Sequence, residues 1–323
     1  MRFHADSFHE LERRAKRIPW DQYVTNGACV QFRVTCRKSR LYHSDAVAER
    51  LAESIVKRVG HVNVANAEAK IAAEEEKQAG VDSRSQLFIV RLDHDECTIS
   101  ADSSGALLHR RGYREATGKA PLRETLAAAM VLSSGWDQRS PFADPFCGSG
   151  TIAVEAALIA RRIAPGLRRN FSFQTWPTYE ESVWRWVRTI VTESSINGAI
   201  GALLASDRDD GVVKLAEENA ARAGVLEDIQ FQAKPISALE LPPDPGYIVT
   251  NPPYGVRVGE SILLRNLYAQ LGNVLRKKAK GYTVTLLSGD KTLDRMVGMQ
   301  LTEILRTRNG GIPVRFLKGR LEP

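Results

Sequence analysis

The chain is expected to be an α/β protein: a Rossmann-like domain with a mostly parallel, doubly wound sheet, preceded by a small α+β unit. Three observations predict this. From residue 121 onward, short apolar runs alternate with amphipathic helical patterns, the order that builds a parallel sheet with helices on both faces. The glycine-bearing stretch Asp144-Pro145-Phe146-Cys147-Gly148-Ser149-Gly150-Thr151 falls between one such strand and the next helix. The first hundred residues pattern differently, with a helix between half-buried strands.

In order along the chain, residues 30–34 alternate apolar and polar, as a half-buried strand does. Ser44 reads as an N-cap; Val47, Leu51, Ile55 and Val59 follow at helical spacing, and Gly60 closes the helix. Residues 62–80 are rich in Ala and Glu and read as a second helix. Residues 87–92 and 98–101 form a hairpin around Asp93-His94-Asp95-Glu96. Residues 103–120 are polar, basic and glycine-containing, the character of a linker or lid.

The second part opens with a helix over 122–133, a strand ending at Asp144 and a helix from Thr151 past Ile159. A strand over 202–206 leads to a helix over 212–223, stopped by Gly224. After a strand over 246–250, Ile262, Leu263, Leu267, Leu271, Val274 and Leu275 mark one face of a helix that ends by Gly281. A strand over 284–287 and an edge strand over 314–317, behind Gly310-Gly311, complete the pattern.

The 323 residues suffice for two domains, and a hydrophobic fraction of 43% with 26% charged residues is ordinary for a globular protein. No apolar run reaches membrane-span length and the N-terminus lacks a signal peptide's apolar core, so a cytoplasmic protein with no membrane partner is expected. Cys29, Cys36, Cys97 and Cys147 lack metal-ligand spacing and read as reduced thiols. All six histidines lie at or before His109, so the C-terminal two thirds has no imidazole base or ligand, and no metal is expected. The net charge of +7 favours a polyanionic partner such as nucleic acid, and basic clusters at 109–114, 161–162, 168–169 and 277–280 sharpen that reading.

Three motifs carry chemistry. In the 144–151 turn, Gly148 and Gly150 let backbone pass close under a ligand; the turn lacks the Lys of a P-loop and the spacing of a dinucleotide fingerprint. Asp207, at the next strand's tip, can accept both hydroxyls of a ribose, whereas Asp209 suits a helix cap. In Asn251-Pro252-Pro253-Tyr254-Gly255 the prolines stiffen a turn. The Asn251 side-chain oxygen and the Pro252 carbonyl are neutral acceptors suited to an exocyclic NH2, and Tyr254 offers a face for a base.

Together these motifs resemble a class I S-adenosylmethionine-dependent methyltransferase of the amino-methylating branch. Nearly the whole chain resembles the THUMP-containing RNA guanine-N2 methyltransferases, closest to the bacterial 23S rRNA group. The residues that carry this include Lys38-Ser39-Arg40-Leu41-Tyr42, the basic run from Leu108 to Arg114, Ala120 to Ala129, Ser134-Gly135-Trp136 and the Asn251 turn. The resemblance implies a remnant of a ferredoxin-like region over 1–23, a THUMP RNA-binding domain over 24–104, a linker over 105–120 and the methyltransferase domain over 121–323. Relatives usually begin with more of the ferredoxin-like domain, so Met1 is expected to fall inside it.

The resemblance further implies S-adenosylmethionine as cofactor, held by residues 144–151, Asp207 and Asn251. Asn251, Pro252 and Tyr254 are the expected catalytic residues. Lys38, Arg40, Arg110, Arg111 and Arg114 are expected to meet structured RNA. Pro235 stands where many members carry the acid that holds the cofactor's adenine, so backbone groups or neighbours must serve there. A tRNA guanine-N2 enzyme, an adenine-N6 methyltransferase and a non-enzymatic RNA-binding assembly factor are the competing readings.

Overall fold

The computed structural model describes residues 1–65, 85–114, 122–198, 201–254 and 261–322. Most of the expected second helix over 62–80, part of the expected linker, and Gly255 lie outside them. The chain divides into two compact units, Met1–Leu108 with Arg169–Trp186, and His109–Arg168 with Val187–Pro323.

The first unit is built on a five-stranded sheet of β1 (Arg2–His4), β2 (Cys29–Arg37), β3 (Asn63–Ala65), β4 (Ser85–Asp93) and β5 (Glu96–Ala101), in the order β1-β5-β4-β2-β3. One face is covered by the helices Phe8–Ala15 and Ser44–Val59. Leu11, Trp20, Leu51 and Ile55 pack there against Phe32, Phe88 and Val90. The Trp20 and Phe88 rings meet edge to face at 5.1 Å, which adds a directional contact to the area they bury.

Three details differ from the expectation. Residues 1–23 supply β1 and the Phe3, Leu11 and Trp20 portion of this core, so no break in packing falls at residue 23. Ser44 is the first helical residue; His43 stands in the cap position without a side-chain cap bond. The segment 169–186, which holds the turn Ser172–Thr175 and the start of the helix Glu181–Glu193, belongs here: Ser172 Oγ donates to Gln86 Oε1 at 3.2 Å, and the Tyr23 and Trp176 rings meet at 4.9 Å.

The second unit holds a seven-stranded sheet. Its strands are β6 (Phe142–Asp144), β7 (Leu203–Asp207), β8 (Ile229–Ala233), β9 (Tyr247–Thr250), β10 (Thr283–Ser288), β11 (Thr302–Asn309) and β12 (Ile312–Arg320), ordered β11-β12-β10-β9-β6-β7-β8. Strands β6 to β10 run parallel and the last two antiparallel. The chain runs outward from β6 through β7 to β8, then returns to β6's other side as β9. That reversal is a topological switch point, and it opens a crevice at the carboxyl ends of β6 and β9.

The helix Thr151–Ala160 lies almost wholly in the core, and Glu155 is the one charged side chain along it. Gly135 ends the helix Glu124–Ser134, and Gly224 ends Asp210–Ala223, both in left-handed conformation. The segment 312–320 is not an edge: β12 sits between β10 and β11, and the edge is β11. Ile262 and Leu263, expected on a buried helix face, are 67% and 70% exposed, whereas Leu271 and Leu275 of the same helix are buried. None of the described helices is long and apolar enough to cross a membrane.

Candidate active site

Strands β6 and β9 are parallel neighbours, with Ala143 opposite Ile248, so relative to Asp144 the tip residue Thr250 lies one residue further along, within reach of its side chain. Both are enclosed, at 1% and 0% exposure. Thr250 Oγ1 donates to Asp144 Oδ1 at 2.6 Å, and the Phe146 N–H donates to the same oxygen at 3.3 Å. Asp144 Oδ2 has no partner among the described residues. Burial pushes the Asp144 carboxyl up to about 7, against the pull of the bonds from Thr250 and Phe146. A buried carboxyl with one oxygen unsatisfied is costly to ionise alone and favours a ligand that brings a donor or a positive charge.

The loop after β6 is fixed from the β7 side. The Cys147 N–H donates to the Ser206 carbonyl at 3.0 Å, and the Gly148 N–H to Asp207 Oδ2 at 3.1 Å. Asp207 Oδ1 takes the Asp209 N–H at 3.2 Å. Each oxygen of Asp207 thus already accepts one backbone bond and keeps further acceptor capacity. Asp209 caps the next helix, accepting from the N–H groups of Gly211 and Val212.

Gly148 has φ +51, and a Cβ there would meet nothing within 4 Å; Gly150 has φ +79, and a Cβ would come 2.9 Å from that of Ala216. The first glycine therefore leaves open space and the second allows close helix packing. Ser149 Oγ and Thr151 Oγ1 lie 3.5 Å apart; Pro145 is buried, and half-buried Phe146 packs against the core beside Ala143 and Ile248. Cys147 is a core residue, its thiol pushed up by burial and its N–H already used, so its side chain serves packing rather than a ligand.

The turn after β9 presents Asn251, buried Pro252, exposed Pro253 and half-buried Tyr254. The Asn251 side-chain oxygen is enclosed and has no partner among the described residues. Tyr254 Oη accepts from Asn309 Nδ2 at 3.1 Å, and its ring lies against Gly289, where a Cβ would come within 2.8 Å of ring Cδ2. The ring is thus held at both its hydroxyl and its side, and burial raises its hydroxyl's pKa.

The expected RNA contacts divide. Lys38 is exposed in a left-handed conformation, φ +47, and Arg40 is exposed while paired with Asp6 at 2.9 Å. Arg110 is half-buried. Arg111 and Arg114 do not fit the expectation. Arg111 pairs with Glu155 at 3.1 Å, and Arg114 lies 3.6 Å from Glu124 with side-chain exposures of 5% and 7%. Buried carboxylates need charge partners, and these two arginines supply them from within the unit. Tyr113, between them, is a core residue whose Oη donates to Glu155 at 3.0 Å, so this stretch of the expected linker is folded into the second unit.

Thr250, Asn219 and Arg222 are site-supporting residues that sequence reasoning missed. Asn219 is fully buried; its Nδ2 donates to the Ser149 carbonyl at 2.9 Å and its Oδ1 accepts from Arg222 Nη2 at 2.6 Å. Arg222 Nε donates in turn to the Tyr113 carbonyl at 2.8 Å. A lone Asn on the inner face of an Ala-rich helix was the available signal. Around the 235 position, the nearby acid is Glu240, paired with Lys234 at 2.7 Å; both line a cleft with Asp144, Pro145, Ser206 and Gln232. No group of three or more His, Cys, Asp or Glu among the described residues could hold a metal ion.

Residues 111–318 match a family described as an RMKL-like methyltransferase domain, and residues 5–81 match a THUMP domain. A relative from Synechocystis, provisionally named an RNA methyltransferase, is 32% identical over 97% of this chain and 79% of its own length. A ribosomal RNA large subunit methyltransferase K/L from a Shewanella strain is 42% identical over 68% of this chain, which spans 32% of that relative's length. Among solved structures, SMU.472, provisionally named a methyltransferase and solved with SAH, superposes with TM-score 0.82 at 26% identity, covering 100% of this chain and 83% of that one. A Listeria monocytogenes protein described as a predicted N6-adenine-specific DNA methylase gives TM-score 0.80 at 30% identity, covering 100% and 81%. The chain carries a THUMP domain and belongs to the RMKL-like methyltransferase family.

Proposed function

We propose that the chain transfers a methyl group from S-adenosylmethionine to the exocyclic N2 of a guanine in structured RNA, 23S rRNA before tRNA. The observation that carries this reading is the enclosed, unpartnered side-chain oxygen of Asn251 at the switch point. A neutral acceptor there suits an amine with hydrogens to donate.

The protein groups fit the cofactor. Asp144 Oδ2 is an enclosed acceptor suited to a donor or positive charge, Asp207 keeps capacity for ribose hydroxyls, and Gly148 leaves space beside it. When bound, the cofactor supplies a methyl group already activated on a sulfonium. The protein's part is to align the nucleophile with that carbon. The Asn251 oxygen and the Pro252 carbonyl accept the amine hydrogens, draw the nitrogen lone pair out of ring conjugation and stabilise the positive charge that develops on nitrogen. Tyr254, held by Asn309 and Gly289, receives a base that has left its stack. The methylated amine is acidic enough to release its proton without a strong base.

The experiment is labelled-methyl transfer onto total RNA from a strain lacking this gene, followed by digestion to nucleosides and mapping. Label in N2-methylguanosine at one site supports the reading. Label in N6-methyladenosine overturns the choice of base, and no transfer with intact cofactor binding favours the assembly-factor alternative.

A further inference from the structure

We infer that Glu240, anchored by Lys234, accepts the 6-amine of the cofactor's adenine, and that Gln232 on β8 bonds the purine ring beside it. The inference rests on the cofactor assignment above and not on the choice of RNA base. S-adenosylmethionine carries its methionine amine, ribose and adenine in that order along one molecule. Asp144 at the tip of β6 suits the amine's positive charge, and Asp207 at the tip of β7 suits the ribose. The sheet runs β9-β6-β7-β8, so β8 is the next strand in that direction. The adenine then falls to the end of β8 and the turn that follows it.

The main chain of that turn is largely engaged from within the unit. The Lys234 N–H donates to the Asp207 carbonyl at 2.8 Å. Pro235 has no N–H, and its carbonyl accepts the Ala238 N–H at 2.9 Å; the Ile236 carbonyl accepts the Leu239 N–H at 3.1 Å. Lys278 Nζ donates to the carbonyls of Ser237 at 3.2 Å and Leu239 at 2.8 Å. With these carbonyls taken, the acceptor for an amine falls to a side chain. Glu240 directly follows the turn. Its Oε2 takes Lys234 Nζ at 2.7 Å, which leaves Oε1 to accept. The bond from Lys234 holds its carboxyl below the usual range, so Glu240 is an anion at neutral pH.

An exposed ion pair contributes little to stability, but this one fixes a carboxylate at a cleft. Lys234, Glu240, Gln232 and Ser206 line that cleft together with apolar Leu204 and Leu239. Enclosed Asp144, whose Oδ2 has no partner among the described residues, lines it too. Apolar walls with a few convergent polar groups suit a flat purine. Gln232 lies opposite Ser206 in the β7–β8 register and is half-buried, with no hydrogen bond to its amide among the described residues. An amide both donates and accepts, so it serves the ring nitrogens of more than one purine. A carboxylate only accepts, so it favours an amine at purine C6 and opposes a carbonyl there. Glu240 is therefore the residue that selects adenine.

The test is calorimetry of the full chain with S-adenosylhomocysteine and with S-inosylhomocysteine, which carries a carbonyl in place of the 6-amine. The wild type is expected to prefer the adenine ligand by about tenfold or more, the scale of one hydrogen bond to a charged group. E240A is expected to bind S-adenosylhomocysteine roughly fivefold more weakly, a modest loss because the side chain is exposed, and S-inosylhomocysteine no more weakly than wild type. E240Q, whose amide can also donate, is expected to hold the adenine ligand within about threefold and to tighten the inosine ligand. Q232M is expected to weaken both ligands by about fivefold. Melting temperature is expected to be unchanged in all three. Wild-type preference in both Glu240 variants overturns the assignment of Glu240, and so does a parallel loss of both ligands in E240A, the mark of a merely structural role. Wild-type affinities in Q232M overturn the part given to Gln232. A wild-type chain that binds neither ligand removes the cofactor assignment and this subsite together.

Discussion

Thr250 Oγ1 donates to Asp144 Oδ1 at 2.6 Å, and this buried bond ties the start of the glycine turn to the residue before Asn251. The two strands proposed to carry cofactor and amine chemistry are thus locked at their tips by side chains as well as by the backbone ladder. Thr250→Val keeps the shape and removes the donor. It is expected to cost about 0.5–1.5 kcal/mol in urea unfolding, the net contribution of one hydrogen bond, since the Phe146 N–H still donates to the same oxygen. Thr250→Ser is expected to recover most of that stability.

Stability should also depend on pH through the same carboxyl. The folded Asp144 titrates at about 7, whereas an unfolded aspartate titrates at roughly 3.9. Between those values the folded state holds a proton that the unfolded state has released. Stability from this group is therefore fully present below pH ~4, is lost as pH rises towards 7, and is level above that. Glu155, also raised to about 7 by burial, adds a parallel loss. Denaturant midpoints across this range should show Asp144→Asn flattening the slope and leaving the Glu155 part; an unchanged slope removes the assignment to Asp144.

Asn219 is expected to act as a positioning residue. Its amide spans the Ser149 carbonyl and Arg222. Asn219→Leu leaves the carbonyl without that donor and should raise the KM for S-adenosylmethionine more than it lowers kcat. A merely structural role would instead lower the active fraction and leave KM unchanged.

The two glycines of the turn should respond differently to alanine. At Gly150 the added Cβ meets Ala216 at 2.9 Å in a left-handed backbone, so packing must shift; a cost of about 2–4 kcal/mol is expected from conformation and overpacking together. At Gly148 the space is open, so only the conformational cost of about 1–2 kcal/mol applies. Gly148→Ala should nonetheless bind S-adenosylhomocysteine more weakly by calorimetry, because the new methyl enters space proposed for the cofactor.

The parallel sheet was legible because β6, β9 and β10 are buried on both sides, and such strands read as short apolar runs bounded by helices. The site's main chain was legible for a related reason: glycines, prolines and a strand-tip acid constrain backbone locally, so their meaning survives without knowing neighbours. What was hidden depends on distant partners. β11 is exposed along most of its length and shows no alternation, so both it and the interior position of β12 escaped the pattern. Ile262 and Leu263 keep helical spacing with the buried Leu271 and yet face solvent, because spacing does not state where a covering surface ends. Arg111 and Arg114 sit in a basic run that resembles a solvated cluster. Their partners Glu155 and Glu124 lie further along the chain, and only the fold brings them together.

Asn251, with its enclosed and unpartnered side-chain oxygen, is proposed to hold the amine that is methylated. Single-turnover kinetics of Asn251→Ala, with cofactor affinity measured alongside, tests it most directly. The predicted result is a fall in methyl transfer of about a hundredfold or more, the scale seen when one transition-state contact is removed, with S-adenosylmethionine affinity changed far less. Turnover that survives, or cofactor affinity that falls in step with it, contradicts the claim.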